Sequence, residues 1–270
     1  MTLTTLPLTV TMAKSIELRI FRQDGEDSAP YWDEFSLPWQ ENMNVIACLM
    51  EIQMHPVNKA GKRINPVVWE SNCLEEVCGA CSMVINGMPR QACSALVDKL
   101  AQPISIAPLS KFKTVRDLVV DRQPMFNALT KVKAWVPIDG TYDLGPGPKI
   151  SPADAERMYD FARCMTCGCC MEACPQFNAN SPFIGPAPLG QANLFSQHPT
   201  ASMNNDERLA AVMGVGGVAD CGKAQNCAKV CPKEIPLTEA IAELGRETTK
   251  QLVKDLLAKG APRSFGGPAA

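Results

Sequence analysis

Apolar and polar residues alternate from Ser15 to Phe21, the period of a half-buried strand, whereas from Asn44 to Met54 the apolar residues recur at helical spacing. Ser82 to Ile85, followed by Asn86-Gly87, predicts a strand entering a hairpin. Beyond these the strand period disappears. Thr130 to Trp135 is expected to close one helix. Ser151-Pro152-Ala153-Asp154 opens another, with an N-cap serine, a first-turn proline and an acid near the positive helix end, and this helix runs toward Cys164. Leu189 to Gln197 and Asp206 to Val212 predict two more helices. A last one spans Leu237 to Lys259, with apolar residues at Ile241, Leu244, Leu252, Val253, Leu256 and Leu257, a polar interruption at Gly245 to Lys250, and Gly260 as terminator. Pro137 to Pro152 holds four prolines and three glycines, the composition of a linker, and Asn180 to Pro188 is also rich in proline and small residues. At 270 residues the chain can bury two cores, so domains over 1–136 and 137–270 are expected. The tail from Ala261 is expected to be disordered or to lie on a partner.

Charge narrows the function by exclusion. With 26 Lys+Arg against 28 Asp+Glu, the net charge of −2 offers no broad basic field for nucleic acid or anionic lipid. Leu209 to Ala219 is too short to cross a bilayer and is broken by three glycines. Met1 to Met12 lacks the basic leader and sustained apolar run of a secretory signal, which places the protein in the cytoplasm.

Cysteine changes the picture most. Thirteen cysteines in a long, unsecreted, helix-rich chain point to metal rather than to disulfides. Cys73, Cys78, Cys81 and Cys93 have four, two and eleven residues between them, and the first two intervals follow the plant-type spacing that suits a 2Fe-2S cluster. Such a loop must present thiolates from several sides while turning its N-H groups toward sulfur, and Gly79 gives the backbone room for that approach. A zinc site is the competing reading, but zinc loops usually pair two short C-x-x-C knuckles.

Cys164, Cys167, Cys170 and Cys174-Pro175 reproduce the bacterial two-cluster run, whose fourth cysteine ligates the neighbouring cluster. Cys221, Cys227 and Cys231-Pro232 repeat it, with Ala224 standing where Cys167 stands. Crossing the fourth ligands gives Cys164, Cys167, Cys170 and Cys231 to a 4Fe-4S cluster. Cys174, Cys221 and Cys227 remain for the other, and because alanine cannot bind iron that cluster is expected to be 3Fe-4S. Pro175 and Pro232 fix the chain's exit from each loop without adding an N-H. Cys169 is out of register and reads as a buried, unligated thiol; Cys48, on the apolar helix face, reads as core. Gly214-Val215-Gly216-Gly217 follows no strand, so a helix-end loop is expected there rather than a phosphate site. The expected fold is α+β, a plant-type ferredoxin-like (β-grasp) domain followed by an all-α bacterial two-cluster ferredoxin-like domain.

These three cysteine series, in this order and with Ala224 at the vacant position, resemble the iron-sulfur subunit of the succinate dehydrogenase and fumarate reductase family from about Ser15 to Leu257. The resemblance implies an electron-transfer subunit with no dicarboxylate site of its own. It further implies a flavoprotein partner carrying FAD against the N-terminal domain, and a membrane anchor with quinone and haem b against the C-terminal domain. Electrons would pass from FAD through the 2Fe-2S, 4Fe-4S and 3Fe-4S clusters to quinone, at the cytoplasmic face of the inner membrane. Members that reduce ubiquinone usually carry tryptophan and histidine where this chain has Ala179 and Gly222. That departure, with the Asn72-Cys73-Leu74-Glu75-Glu76-Val77 form of the first loop, resembles the menaquinone-linked branch with a single dihaem anchor. The alternatives are a fumarate reductase subunit working in the opposite direction, and a multi-cluster adaptor of another dehydrogenase. Against the adaptor stands the lack of a CCG pair after Cys231.

Overall fold

A computed structural model describes residues 14–138 and 148–259. The opening Met1 to Met12, the middle of the Pro137 to Pro152 linker, Gly260 and the tail from Ala261 lie outside the described residues. The first half is a five-stranded sheet in the order β2-β1-β5-β3-β4, built from β1 (Ser15–Arg22), β2 (Tyr31–Pro38), β3 (Ser82–Ile85), β4 (Met88–Gln91) and β5 (Ile104–Ala107). β1 pairs antiparallel with β2 and parallel with β5, and β3 runs antiparallel to both β4 and β5. Helix α1 (Val45–Met54) packs on this sheet, with Ile46, Leu49 and Ile52 meeting the inward row Ile16, Leu18 and Ile20. Each such side chain, fully buried, contributes ~1.5–3 kcal/mol.

The strand period carries that inward row on to Arg22, a charge that needs partners. Arg22 Nε donates to Asp117 Oδ1 at 2.9 Å, and both side chains are fully buried. The Asp117 carboxylate also accepts from Gln23 N and Val68 N, so the pair is satisfied and ties β1 to the loop joining β6 (Lys113–Arg116) and β7 (Val119–Asp121).

The predicted turn forms as expected, with Asn86 and Gly87 both at positive φ. At the start of α1, Asn44 caps Ala47 N at 2.9 Å, and its Nδ2 donates to the carbonyl of Cys93. The cap thereby anchors a cysteine of the first series to a rigid helix.

Helix α2 (Gln123–Lys131) closes the first half, and the second half contains helices throughout: α3 (Pro152–Ala162), α4 (Cys169–Glu172), α5 (Pro186–Gln197), α6 (Asn205–Met213), α7 (Asn226–Lys229) and α8 (Leu237–Lys259). Ser151 caps α3 through Asp154 N, as its sequence predicts. α2 stops at Lys131, short of Trp135. α5 begins at Pro186 rather than Leu189: Pro186 and Pro188 sit in the first turn, whose N-H groups have no intrahelical partner, and both are buried. α8 passes unbroken through the polar segment Gly245 to Lys250: burial of Ala240, Ile241 and Leu244 fixes the helix before that segment is reached. The glycine-rich stretch after α6 packs tightly; a Cβ on Gly217 would stand 1.9 Å from the carbonyl oxygen of Val212. Leu109, Phe112, Val120 and Met125 share one apolar core with Met158, Phe161 and Met171, which joins the two halves.

Candidate iron-sulfur centres

The loop after α1 brings Cys73, Cys78 and Cys81 around one space, closed by Cys93 in a short 3-10 helix that follows β4. Leu74, Glu76 and Gly79 have positive φ, which turns successive N-H groups inward. Cys73 Sγ accepts from Glu75 N, Val77 N and Cys78 N at 3.3–3.4 Å, and Cys78 Sγ accepts from Cys73 N and Ala80 N. These donors favour the thiolate; the Glu75 N-H, then that of Val77, pulls the Cys73 thiol down to about 7. Cys93 is the opposite case. Burial pushes its thiol up to about 11, so bound metal is what would take its proton. Ser94 Oγ donates to Glu76 Oε1 at 2.6 Å and holds the loop against the Cys93 turn.

The second and third series fold as a structural repeat. Gly168 and Gln225, at matching positions, both adopt left-handed backbone and both cap a four-residue helix, α4 and α7. Two residues after the first cysteine of each run, Thr166 and Lys223 are left-handed as well. Non-glycine residues held in this region are strained, and Thr166 and Lys223 are a matched pair of them.

Each loop walls a cavity whose fourth side comes from the other loop. Cys164, Cys167 and Cys170 line one together with Cys231. Cys221 and Cys227 line the other with Cys174, and Ala224 lies on its wall. Thiols around a shared cavity, with backbone N-H groups aimed at sulfur, fit a cluster that bonds through thiolates. Among the described residues no group of His, Cys, Asp or Glu converges on a point as ligands of a single ion do.

Cys169 matches Asn226 in the repeat and is absent from the cavity wall; it is fully buried and faces Gln91. Its thiol is pushed far up by its hydrogen bond with Cys167 and by burial. Cys48 is enclosed in the first core, where burial raises its thiol to about 12. Two residues beside the sites carry no signal in the cysteine spacing. Arg122 donates to the carbonyls of Gly79 and Ala80 at 2.9 and 2.8 Å, clamping the first loop from β7's end. Gln91 reaches both Cys81 and Cys169. Neither could be found from local pattern, because their partners are distant in sequence.

Residues 17–127 match the model of a 2Fe-2S iron-sulfur cluster binding domain, and residues 160–235 match that of a 4Fe-4S dicluster domain. The chain is 57% identical to the succinate dehydrogenase iron-sulfur subunit of Bacillus subtilis (strain 168), over 90% of this chain and 96% of that one. It is 31% identical to the fumarate reductase iron-sulfur subunit of Mycobacterium tuberculosis, over 91% and 98%. Its fold resembles a chain of the Mycobacterium smegmatis Sdh1 complex in the apo form, with a TM-score of 0.73, 21% identity, and coverage of 88% and 97%. Paired ferredoxin-type domains, three cysteine series and this similarity along nearly the whole length lead to one conclusion: the chain belongs to the family of electron-transferring iron-sulfur subunits of succinate dehydrogenase and fumarate reductase.

Proposed function

We propose that Cys73, Cys78, Cys81 and Cys93 hold a 2Fe-2S cluster, that Cys164, Cys167, Cys170 and Cys231 hold a 4Fe-4S cluster, and that Cys174, Cys221 and Cys227 hold a 3Fe-4S cluster. The observation that carries this reading is the contrast between the two cavities, one lined by four cysteines and the other by three with Ala224. When bound, such clusters exchange single electrons, so three in a row relay electrons between a flavin and a quinone. The chain's own residues supply thiolates, turn N-H groups toward sulfur, and bury Cys167, Cys170 and Cys227 from water. The division at residues 136 and 137 keeps α2 with the first domain.

On this reading the chain works in a succinate:quinone oxidoreductase, between an FAD-carrying flavoprotein and a membrane anchor with quinone and haem b. Exposed Leu74 and Val77 on the first cluster loop suit a flavoprotein contact. An open groove beside Cys221 and Cys227, with Lys223, Arg246 and Lys250 over apolar Ile241 and Val218, suits the anchor. Attachment at the cytoplasmic face is assigned to that anchor; among the described residues no helix is long and apolar enough to cross a membrane. Menaquinone is favoured because Ala179 and Gly222 stand where ubiquinone-linked relatives carry tryptophan and histidine.

Metal analysis of the anaerobically purified complex tests the cluster assignment: about nine irons per chain are expected, and far fewer would remove it. The bound quinone and co-eluting subunits, identified in the same preparation, test the rest. Ubiquinone as the native acceptor would exclude the menaquinone reading.

A further inference from the structure

Gln91 ends β4, is fully buried, and lies across the hairpin from Ser82. Its amide has three neighbours. Nε2 donates to Ser82 Oγ at 2.8 Å and lies 3.6 Å from Cys169 Sγ, while Oε1 lies 3.5 Å from Cys81 Sγ. Cys81 belongs to the first cluster loop, and Cys169 is bonded directly to Cys170 on the wall of the second cavity. One side chain therefore touches both loops.

The chemistry of Cys81 decides which end of the amide faces it. A sulfur bonded to iron has no proton to give and can only accept. The amide must then meet Cys81 through Nε2, which turns Oε1 to the Ser82 hydroxyl and the Cys169 thiol. Each swings its proton to Oε1 from its other partner, Ser82 from the Gly79 carbonyl, which keeps Arg122 as a donor, and Cys169 from Cys167. Amide oxygen and nitrogen exchange places by a flip that needs no extra space. An N-H on a ligand sulfur stabilises the added negative charge of the reduced cluster and so raises its potential. A glutamine that only filled space here would be a poor choice, since a buried amide costs stability that an apolar residue does not.

We propose that Gln91 is a positioning residue that hydrogen-bonds the 2Fe-2S ligand Cys81 and rests its other end on Cys169, so that the potential of the first cluster depends on the loop of the second. The proposal rests on the ligand assignment made above for Cys81. The couple concerned takes up one electron, with no bond made or broken.

EPR-monitored redox titration of the complete complex reads the 2Fe-2S midpoint in the wild type, Gln91→Met, Cys169→Ala and the double variant. Methionine keeps the length and volume of glutamine and removes both amide groups. The expected result for Gln91→Met is retention of all cluster signals with a lower midpoint, changing the ratio of reduced to oxidised cluster about tenfold at fixed ambient potential, ~59 mV for a one-electron couple. Cys169→Ala, outside the first loop, is expected to lower the same midpoint by less, and the double variant no further than Gln91→Met alone. A fully loaded Gln91→Met complex with the wild-type midpoint overturns the proposal, as do shifts that simply add. Should Gln91→Met fail to load its first cluster, Cys169→Ala decides: an unmoved 2Fe-2S midpoint overturns the proposal and a lowered one upholds it. A wild-type complex without a 2Fe-2S signal overturns the ligand assignment and the bridge with it, an outcome told apart by its iron content.

Discussion

Gly79 and Cys167 touch across the two neighbouring cluster loops: a Cβ on Gly79 would stand 2.9 Å from the Cβ of Cys167 and 2.9 Å from the carbonyl oxygen of Met165. Gly79 also has a φ of +72°, which a side chain would strain. Gly79→Ala should therefore push the loops apart and destabilise the fold by about 1–3 kcal/mol, the range for overpacking. A lower thermal midpoint with slower reduction of the 4Fe-4S site by succinate is expected. A variant with wild-type values in both would show that the contact is dispensable.

Ala224 lies on the cavity wall beside Cys221 and Cys227, at the position Cys167 holds in the other loop. Ala224→Cys should supply a fourth thiolate and convert the proposed 3Fe-4S cluster toward 4Fe-4S, seen as loss of the 3Fe-4S EPR signal expected from the oxidised protein. Two 4Fe-4S clusters in the wild type would refute the assignment.

Cys169 is enclosed beside Gln91 and away from the cavity that Cys170 lines. Cys169→Ser should leave all three clusters in place, with about nine irons per chain on metal analysis. Loss of the 4Fe-4S signal would mean that Cys169 is a ligand.

Arg22 and Asp117 form an ion pair with both side chains fully buried. Asp117→Ala leaves the guanidinium without its main partner and strands Gln23 N and Val68 N, at a cost of about 3–5 kcal/mol. Denaturant unfolding reads this directly, and a loss below about 1 kcal/mol would contradict it.

Burial raises the Cys48 thiol from 9.0 to about 12. The folded chain then keeps a proton that the unfolded chain releases, so this contribution is full below pH 9.0 and is lost as pH rises toward about 12. Stability of the wild type should fall more steeply over that window than that of Cys48→Ala. Parallel curves for the two would show that the thiol is not linked to folding.

Much of the fold was legible because its signals are local. Asn86-Gly87 fixes its own turn, Ser151 caps its own helix, and the alternation from Ser15 sets which face of β1 is buried. α5 starts three residues before the expected Leu189: Pro186 and Pro188 occupy its first turn, where no intrahelical N-H bond is needed, and the proline-rich run before Leu189 reads as a loop in isolation.

The sequence by itself singled out the three cysteine series and the odd position Ala224, since most cysteines of each series lie close together along the chain and a missing one shows in the repeat. It could also place Cys169 out of register. Only the tertiary structure decided what surrounds the sulfur atoms: that Gly79 abuts Cys167, that Arg122 grips the first loop, and that Gln91 spans from Cys81 to Cys169. Those contacts join residues far apart along the chain, and a hydrogen bond or a van der Waals contact leaves no periodicity in the sequence to announce it.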